Sequence, residues 1–271
     1  MPIIQGEIMP TITANGAEFY YELQGQGPAL ILIAGYTCDH FIWQPIVEEL
    51  SKHFQVLTFD NRAVGQTQDD APVLTAELMA EDVMALAQEL GLKKPHIVGQ
   101  SMGGNIAQVV ASRYASEINK LVILTSTAKW REAMLKAMQS LLLMRAKDID
   151  FDVIFEVLLP WIFGEKTLKN SENIQNLKQL LLANPYPQSL ENQSRQVKVL
   201  EAFDGRKYLN TIQAPTLVVH GLQDVVALQH ESKYLADNIA NADFTIVDGP
   251  HGIVAEIPDE IARAIINFCK D

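Results

Sequence analysis

A serine held between two glycines, Gly99-Gln100-Ser101-Met102-Gly103, constrains this chain more than any other stretch. The residues before it, Pro95-His96-Ile97-Val98, read as a short buried strand. Those after it, Gly104 to Tyr114, read as a helix. A strand that turns at once into a helix has no room for bulky neighbours at the bend, and glycine tolerates the backbone angles the bend requires. The Ser101 hydroxyl is then lifted clear of the sheet at a helix N-terminus, where free N–H groups favour negative charge. Gly103, Ala107 and Ala111 recur at i, i+4, i+8 and let that helix lie close to the sheet, with Ile106, Val109 and Val110 filling the space around it. A glycine-rich turn carrying an ordinary surface serine is the plainer alternative, and the strand-before, helix-after setting argues against it.

Other apolar runs repeat the strand pattern. After a hairpin over residues 9–23, turning at Asn15-Gly16, come Ala29–Ile33, Gln55–Asp60, His96–Gly99, Leu121–Leu124, Thr216–His220 and Phe244–Val247. Helical patterns fall at 41–51, 76–90, 102–115, 229–240 and 256–269. Strands alternating with helices predict an α/β fold, a mostly parallel sheet of the eight-stranded type with helices on both faces. The alternation breaks at residues 128–207, a stretch rich in Leu, Met, Lys and Gln without a convincing strand. The expected organisation is a core of residues 1–127 and 208–271 and a helical cap, or lid, over 128–207. Such an insertion sits over the C-terminal ends of the strands, where open α/β sheets bind ligands. Core helices on a sheet face are the alternative for this segment.

The 271 residues suit one large domain or a core with an insertion, and 48% hydrophobic residues suffice for a real core. The net charge of −12 opposes nucleic acid and anionic membrane surfaces. The expected partner is a small molecule, with the chain a monomer or dimer. Cys38 and Cys269 lie far apart and outside any metal-like cluster, which points to a reducing compartment. Met1–Glu7 lacks a basic stretch followed by an apolar run, and no uninterrupted apolar segment of about 18 residues occurs. A cytoplasmic location is the default expectation.

A serine hydroxyl needs a base within hydrogen-bond reach to become a nucleophile at neutral pH, and the base needs a third group to fix its tautomer. Among six histidines, His251 is the best placed, in the loop Asp248-Gly249-Pro250-His251-Gly252 after the last strand. His220 ends a strand and reads as packed, and His96 lies within the strand before Ser101. The orienting acid should follow an earlier strand on the same edge. Asp224, four residues past His220, fits, although a turn-forming aspartate would also suit Gly221-Leu222-Gln223-Asp224. An oxyanion would be met by the N–H of Met102 and by that of Tyr36, where Gly35 permits close approach.

With these residues placed, the chain resembles the α/β-hydrolase superfamily, in particular its small capped serine esterases and lactonases, over nearly its whole length. Gly99–Gly104 is similar to the family's nucleophile elbow. Phe59–Thr67 is similar to its D-x-R-G-x-G-x-S loop, with Ala63 and Thr67 as departures. Ala214–Asp224 is similar to the acid segment, and His251 with Glu256 and Pro258 to the H-x4-E-x-P ending. The order Ser101, Asp224, His251 is the family's own. Ala34-Gly35 stands where relatives often carry His-Gly, and Leu228 where proline is common. The resemblance implies no metal and no cofactor. Serine at position 101 sets the chain apart from the haloalkane dehalogenases, which carry aspartate there.

The expected reaction is hydrolysis of a carboxylic ester or lactone through an acyl-enzyme. Gly35, Trp43, Trp130, Met134, Met138, Leu158 and Trp161 are the expected pocket residues, with ordinary packing explaining Phe41 and Trp43 equally well. The start of the 128–207 segment is locally basic, with Lys129, Arg131, Lys136, Arg145 and Lys147 against Glu132. A solvated helix face is the simpler reading of these charges, and steering of an anionic substrate the other. Two further functions fit the same residues: a hydrolase-fold receptor or signalling module with weak turnover, and a carbon–carbon bond hydrolase or perhydrolase.

Overall fold

The computed structural model describes residues 10–270; the reading of Met1–Glu7 and the first residue of the predicted hairpin lie outside them. Strands β1 (Thr11–Ala14) and β2 (Ala17–Gln24) form the hairpin. Its two turn residues, Asn15 and Gly16, have φ of 43° and 71°, the paired positive angles that match a two-residue turn to the twist of its strands. Then come β3 (Ala29–Ile33), a 3₁₀ turn (His40–Trp43), α1 (Gln44–Ser51), β4 (Gln55–Phe59), α2 (Ala76–Glu89), β5 (His96–Gln100), α3 (Met102–Arg113) and β6 (Leu121–Leu124). Six helices follow without a strand: α4 (Glu132–Ala146), α5 (Phe151–Ile162), α6 (Glu165–Leu168), α7 (Ser171–Leu182), α8 (Leu190–Ala202) and α9 (Arg206–Leu209). The chain ends with β7 (Thr216–Gly221), α10 (Gln229–Asn238), β8 (Ala242–Val247), α11 (Ile253–Glu256) and α12 (Pro258–Lys270).

The described strands form one eight-stranded sheet in the order β1-β2-β4-β3-β5-β6-β7-β8. Strand β2 runs antiparallel to β1 and β4, and every other pairing is parallel. Period-two alternation sorts each buried strand between two cores. Ile31 and Ile33 pack with α2, α3 and α10; Leu30 and Leu32 pack with α1, α11 and α12. This is the α/β, mostly parallel architecture expected from the sequence.

Two predicted helices are divided, each at a proline. Pro45 has no N–H to extend the His40–Trp43 turn, so α1 proper begins at Gln44. Pro258 pushes Ile257 out of the helical region, to φ −132° and ψ 53°, and separates α11 from α12.

The insert α4–α9 is fastened to loops that follow β3, β4, β7 and β8, which all leave the sheet at its C-terminal edge. Gln196, buried on α8, accepts from the Thr37 N–H at 3.0 Å and donates to the Arg62 carbonyl at 2.9 Å. Gln188 donates to the Ala63 carbonyl, Arg131 to the Val225 and Val226 carbonyls, and the Gly252 N–H to the Ile162 carbonyl. No described helix is long and apolar enough to cross a membrane.

Candidate active site

Sheet register brings distant segments to one rim. Ile33 lies opposite Gly99, Gln100 opposite Leu124, Leu124 opposite Val219, and Gly221 opposite Val247. The loops after β3, β5, β7 and β8 therefore emerge side by side. Ser101 sits between β5 and α3 with φ 56° and ψ −118°, a strained conformation for a residue with a side chain. The bend is enforced locally. The Ser101 N–H donates to the Leu124 carbonyl at 3.0 Å, and the Ser126 hydroxyl donates to the Ser101 carbonyl at 2.7 Å. A Cβ on Gly99 would strike the backbone of Gly103, and one on Gly103 the backbone of Ile33, so both glycines are sterically required.

His251 enters from the loop after β8. Its Nε2 lies 3.0 Å from Ser101 Oγ, and its Nδ1 lies 3.0 Å from Asp224 Oδ2. All three side chains are buried. Asp224 is itself held: its Oδ1 accepts from the Val226 and Ala227 N–H groups at 2.7 and 3.0 Å, leaving Oδ2 directed at the imidazole. The His251 carbonyl accepts from Gln100 Nε2 and from the Thr125 hydroxyl, at 3.3 and 3.2 Å. Gln100, an unconstrained position of the serine motif, and Thr125, just past β6, escaped the sequence reading. Their only sequence signal is a polar residue at the end of a buried strand.

Gly35 is buried against the serine, and a Cβ there would lie 3.2 Å from Ser101 Cβ. No acceptor among the described residues takes the backbone N–H of Tyr36 or Met102. Met102 follows Ser101 in the chain, and Tyr36 follows Gly35, which lies against Ser101; unpaired N–H groups beside a hydroxyl are what a developing oxyanion requires.

The predicted pocket residues divide. Trp130, Met134 and Met138 share one apolar cluster with Met102, and Tyr36 and Trp161 pack against it. Leu158 is half-buried on α5 and stands apart from that cluster. Trp43 is a correction. It is fully buried in the core formed by Leu30, Leu32, Ile46 and α12, so it lines no pocket. The 3₁₀ turn carrying it leads directly into α1 and swings the indole under that helix. Phe41 on the same turn is exposed.

His220 is packed, as expected, and so is His96; burial lowers the pKa of each, His96 to about 4. His40 lies with Asp39 and Asp60 in a cluster of metal-ligand type. Its oxygens are already occupied: Asp60 Oδ1 takes the His40 ring Nδ1–H and backbone N–H, Asp60 Oδ2 takes the Gln66 N–H, and Asp39 accepts from Phe41 and Asn184. Burial lowers the His40 pKa, but the carboxylates of Asp60, Asp39 and Glu22 together leave a net rise. The group is a hydrogen-bonded brace for the loop after β4. Cys38 and Cys269 are both unpaired, and burial pushes each thiol up to about 12.

A family model described as "alpha/beta hydrolase fold" matches residues 28–155. A protein named "Putative carbamate hydrolase RutD" from Azorhizobium caulinodans is 26% identical over 269 residues, 97% of this chain and 99% of its own. The 3-oxoadipate enol-lactonase 1 of Acinetobacter baylyi is 26% identical over 271 residues, 98% of this chain and 94% of its own. The crystal structure of the enol-lactonase from Burkholderia xenovorans LB400 superposes with a TM-score of 0.87 at 24% identity, covering 97% of this chain and 100% of that one. By sheet order, by the turn after β5 and by these matches, the chain has the α/β-hydrolase fold.

Proposed function

We propose that this protein is a serine hydrolase that cleaves a carboxylic ester or lactone through an acyl-enzyme. The observation that carries the reading is the unbroken relay from Ser101 Oγ to His251 Nε2 and from His251 Nδ1 to Asp224 Oδ2, with 3.0 Å at each step. Ser101 Oγ attacks the carbonyl carbon while His251 Nε2 takes its proton, and Asp224 holds the imidazole in the productive tautomer and stabilises its charged form. The Met102 and Tyr36 N–H groups receive the oxyanion. His251 then returns the proton to the leaving alcohol, activates water against the acyl-enzyme, and Ser101 is regenerated.

The relatives named as a carbamate hydrolase and an enol-lactonase support acyl transfer to water and differ in the bond cleaved. The apolar cluster of Trp130, Met134 and Met138 beside Met102 favours a partly apolar acyl group. In this reading residues 128–207 act as a lid that covers the rim and sizes the pocket.

A fluorophosphonate probe should label Ser101 alone. Ser101→Ala should abolish labelling and lower ester turnover by about 10⁶-fold without changing the far-ultraviolet circular dichroism spectrum. Undiminished hydrolysis by a clean Ser101→Ala preparation would overturn the assignment. Aryl esters, lactones and aryl carbamates, assayed side by side, identify the preferred bond.

A further inference from the structure

The basic residues at the start of the insert do not share one fate. Lys129 pairs with Asp204 at 3.7 Å, and Arg131 with Glu231 at 3.2 Å while also binding two carbonyls. Lys136 is exposed and bonds the neighbouring Gln139, and Lys147 is exposed. Arg145 differs. It is half-buried, and its recorded acceptors are both neutral: Gln193 Oε1 at 2.6 Å and the Gln188 carbonyl at 3.0 Å. No carboxylate pairs with it among the described residues. A guanidinium has five N–H donors, so three remain. A charge partly withdrawn from water without a counter-charge carries a standing cost that an anion would relieve.

A second observation points to the same place. The Tyr36 hydroxyl is shielded from solvent and makes no well-aligned hydrogen bond among the described residues, although Gln193 stands beside it. Burial holds this phenol well above its ordinary pKa, against smaller opposing effects of Gln193 and Arg145 beside it, so it stays protonated as a donor. The residue next to Tyr36 is Gly35, which lies against Ser101. The tyrosine thus runs from the serine at its backbone to the Gln193–Arg145 pair at its hydroxyl. Along α4, Met134, Met138 and Arg145 follow the i, i+4, i+11 spacing of one helix face, apolar first and cationic last.

We propose that Arg145, Gln193 and the Tyr36 hydroxyl form the far end of the acyl pocket and receive a carboxylate carried by the substrate. The preferred substrates are then half-esters of dicarboxylic acids, or lactones bearing a free carboxylate, with the apolar chain between the two ends lying along Met134 and Met138. This rests on the serine hydrolase reading above and adds the substrate class to it. The carboxylate would accept from Arg145 in charge-assisted hydrogen bonds, the strongest type open to it.

The test compares monomethyl with dimethyl esters of linear dicarboxylic acids from succinate to suberate. The wild type should favour the monoester in kcat/KM at the best chain length. Arg145→Gln should lower that monoester-to-diester ratio by roughly 10- to 100-fold, mainly through KM. Arg145→Lys should keep part of the preference, and Tyr36→Phe should lower it by a smaller factor. Lys147→Gln, which removes the same charge from the nearby surface, should leave the ratio unchanged. A wild type that favours the diester at every length, or a ratio indifferent to Arg145→Gln, would overturn the proposal while leaving ester hydrolysis in place. If neither ester is turned over, probe labelling at Ser101 and the aryl ester, lactone and carbamate assays judge the serine hydrolase reading separately. Calorimetric binding of the dicarboxylates then decides the anion site, and equal binding by wild type and Arg145→Gln would sink it.

Discussion

The Trp130 indole N–H donates to Asn105 Oδ1 at 2.6 Å, joining the first residues of the insert to the helix that begins just after Ser101. Both side chains are buried, and Asn105 Nδ2 also bonds the Thr127 carbonyl at 2.7 Å. Trp130→Phe would retain most of the packing but leave Asn105 Oδ1 without a donor. The expected loss is about 1–3 kcal/mol of stability, read as a lower urea midpoint. A Trp130→Phe/Asn105→Leu double variant should recover part of it.

Asp224→Asn separates the two tasks of that side chain. An asparagine oxygen can still accept from Val226 and Ala227, so the turn after β7 should persist. Its amide group would face His251 Nδ1 and favour the wrong tautomer. The expected outcome is a fall in kcat of about 10⁴-fold with thermal stability nearly unchanged. Single-turnover acylation rates provide the check.

Gly35→Ala tests the close approach of the β3 loop. The new methyl carbon would stand 2.8 Å from Gln100 Oε1 and 3.2 Å from Ser101 Cβ. The loop must move away from the serine and take the Tyr36 N–H with it. A displacement of this kind should cost about 100-fold in kcat, with smaller change in KM.

His96 gives the protein a defined weakness to acid. Burial lowers its pKa from 6.5 to about 4. Between those values the unfolded chain binds a proton that the folded one does not, so stability is lost as pH falls through 6.5 and continues to fall until about 4. The full loss amounts to about 3 kcal/mol. Unfolding free energies of wild type and His96→Leu, measured at pH 7 and pH 4.5, should show the shallower decline in the variant.

Arg62 and Asp82 form a buried bidentate pair at 2.7 and 2.8 Å. Arg62→Met would strand the Asp82 carboxylate, whose pKa burial already raises. A loss of about 3–5 kcal/mol is expected, and the Arg62→Met/Asp82→Leu double variant should be the more stable of the two. The same pair shows where sequence reading ends. Arg62 stands in a recognisable loop, but its partner lies in the middle of α2 among other acidic residues, and nothing in the one-dimensional pattern joins them.

The strands and the Ser101, Asp224 and His251 positions were legible because each rests on local cues: continuous apolar runs, glycines at enforced bends, and polar residues just past strand ends. Tertiary rotation was not. Trp43 and Trp130 look alike as aromatic residues near predicted loops, yet one turns into the core under α1 and the other reaches across to Asn105. Cation pairing was equally hidden. Arg131 and Arg145 occupy similar basic surroundings in sequence, and only the fold gives Glu231 to the first and neutral oxygens to the second.

Strands β6 and β7 are direct neighbours in the sheet, with Leu121 opposite Thr216, although the whole helical insert separates them along the chain. The entropy of closing such an excursion grows only logarithmically, by about 0.6 kcal/mol for each doubling of its length. Between its anchors to the core loops, the insert can therefore be lengthened or shortened with little entropic penalty to the pairing of β6 with β7. Under the proposed hydrolase reading, the segment that sizes the pocket can vary while the strand ends that carry Ser101, Asp224 and His251 keep their places.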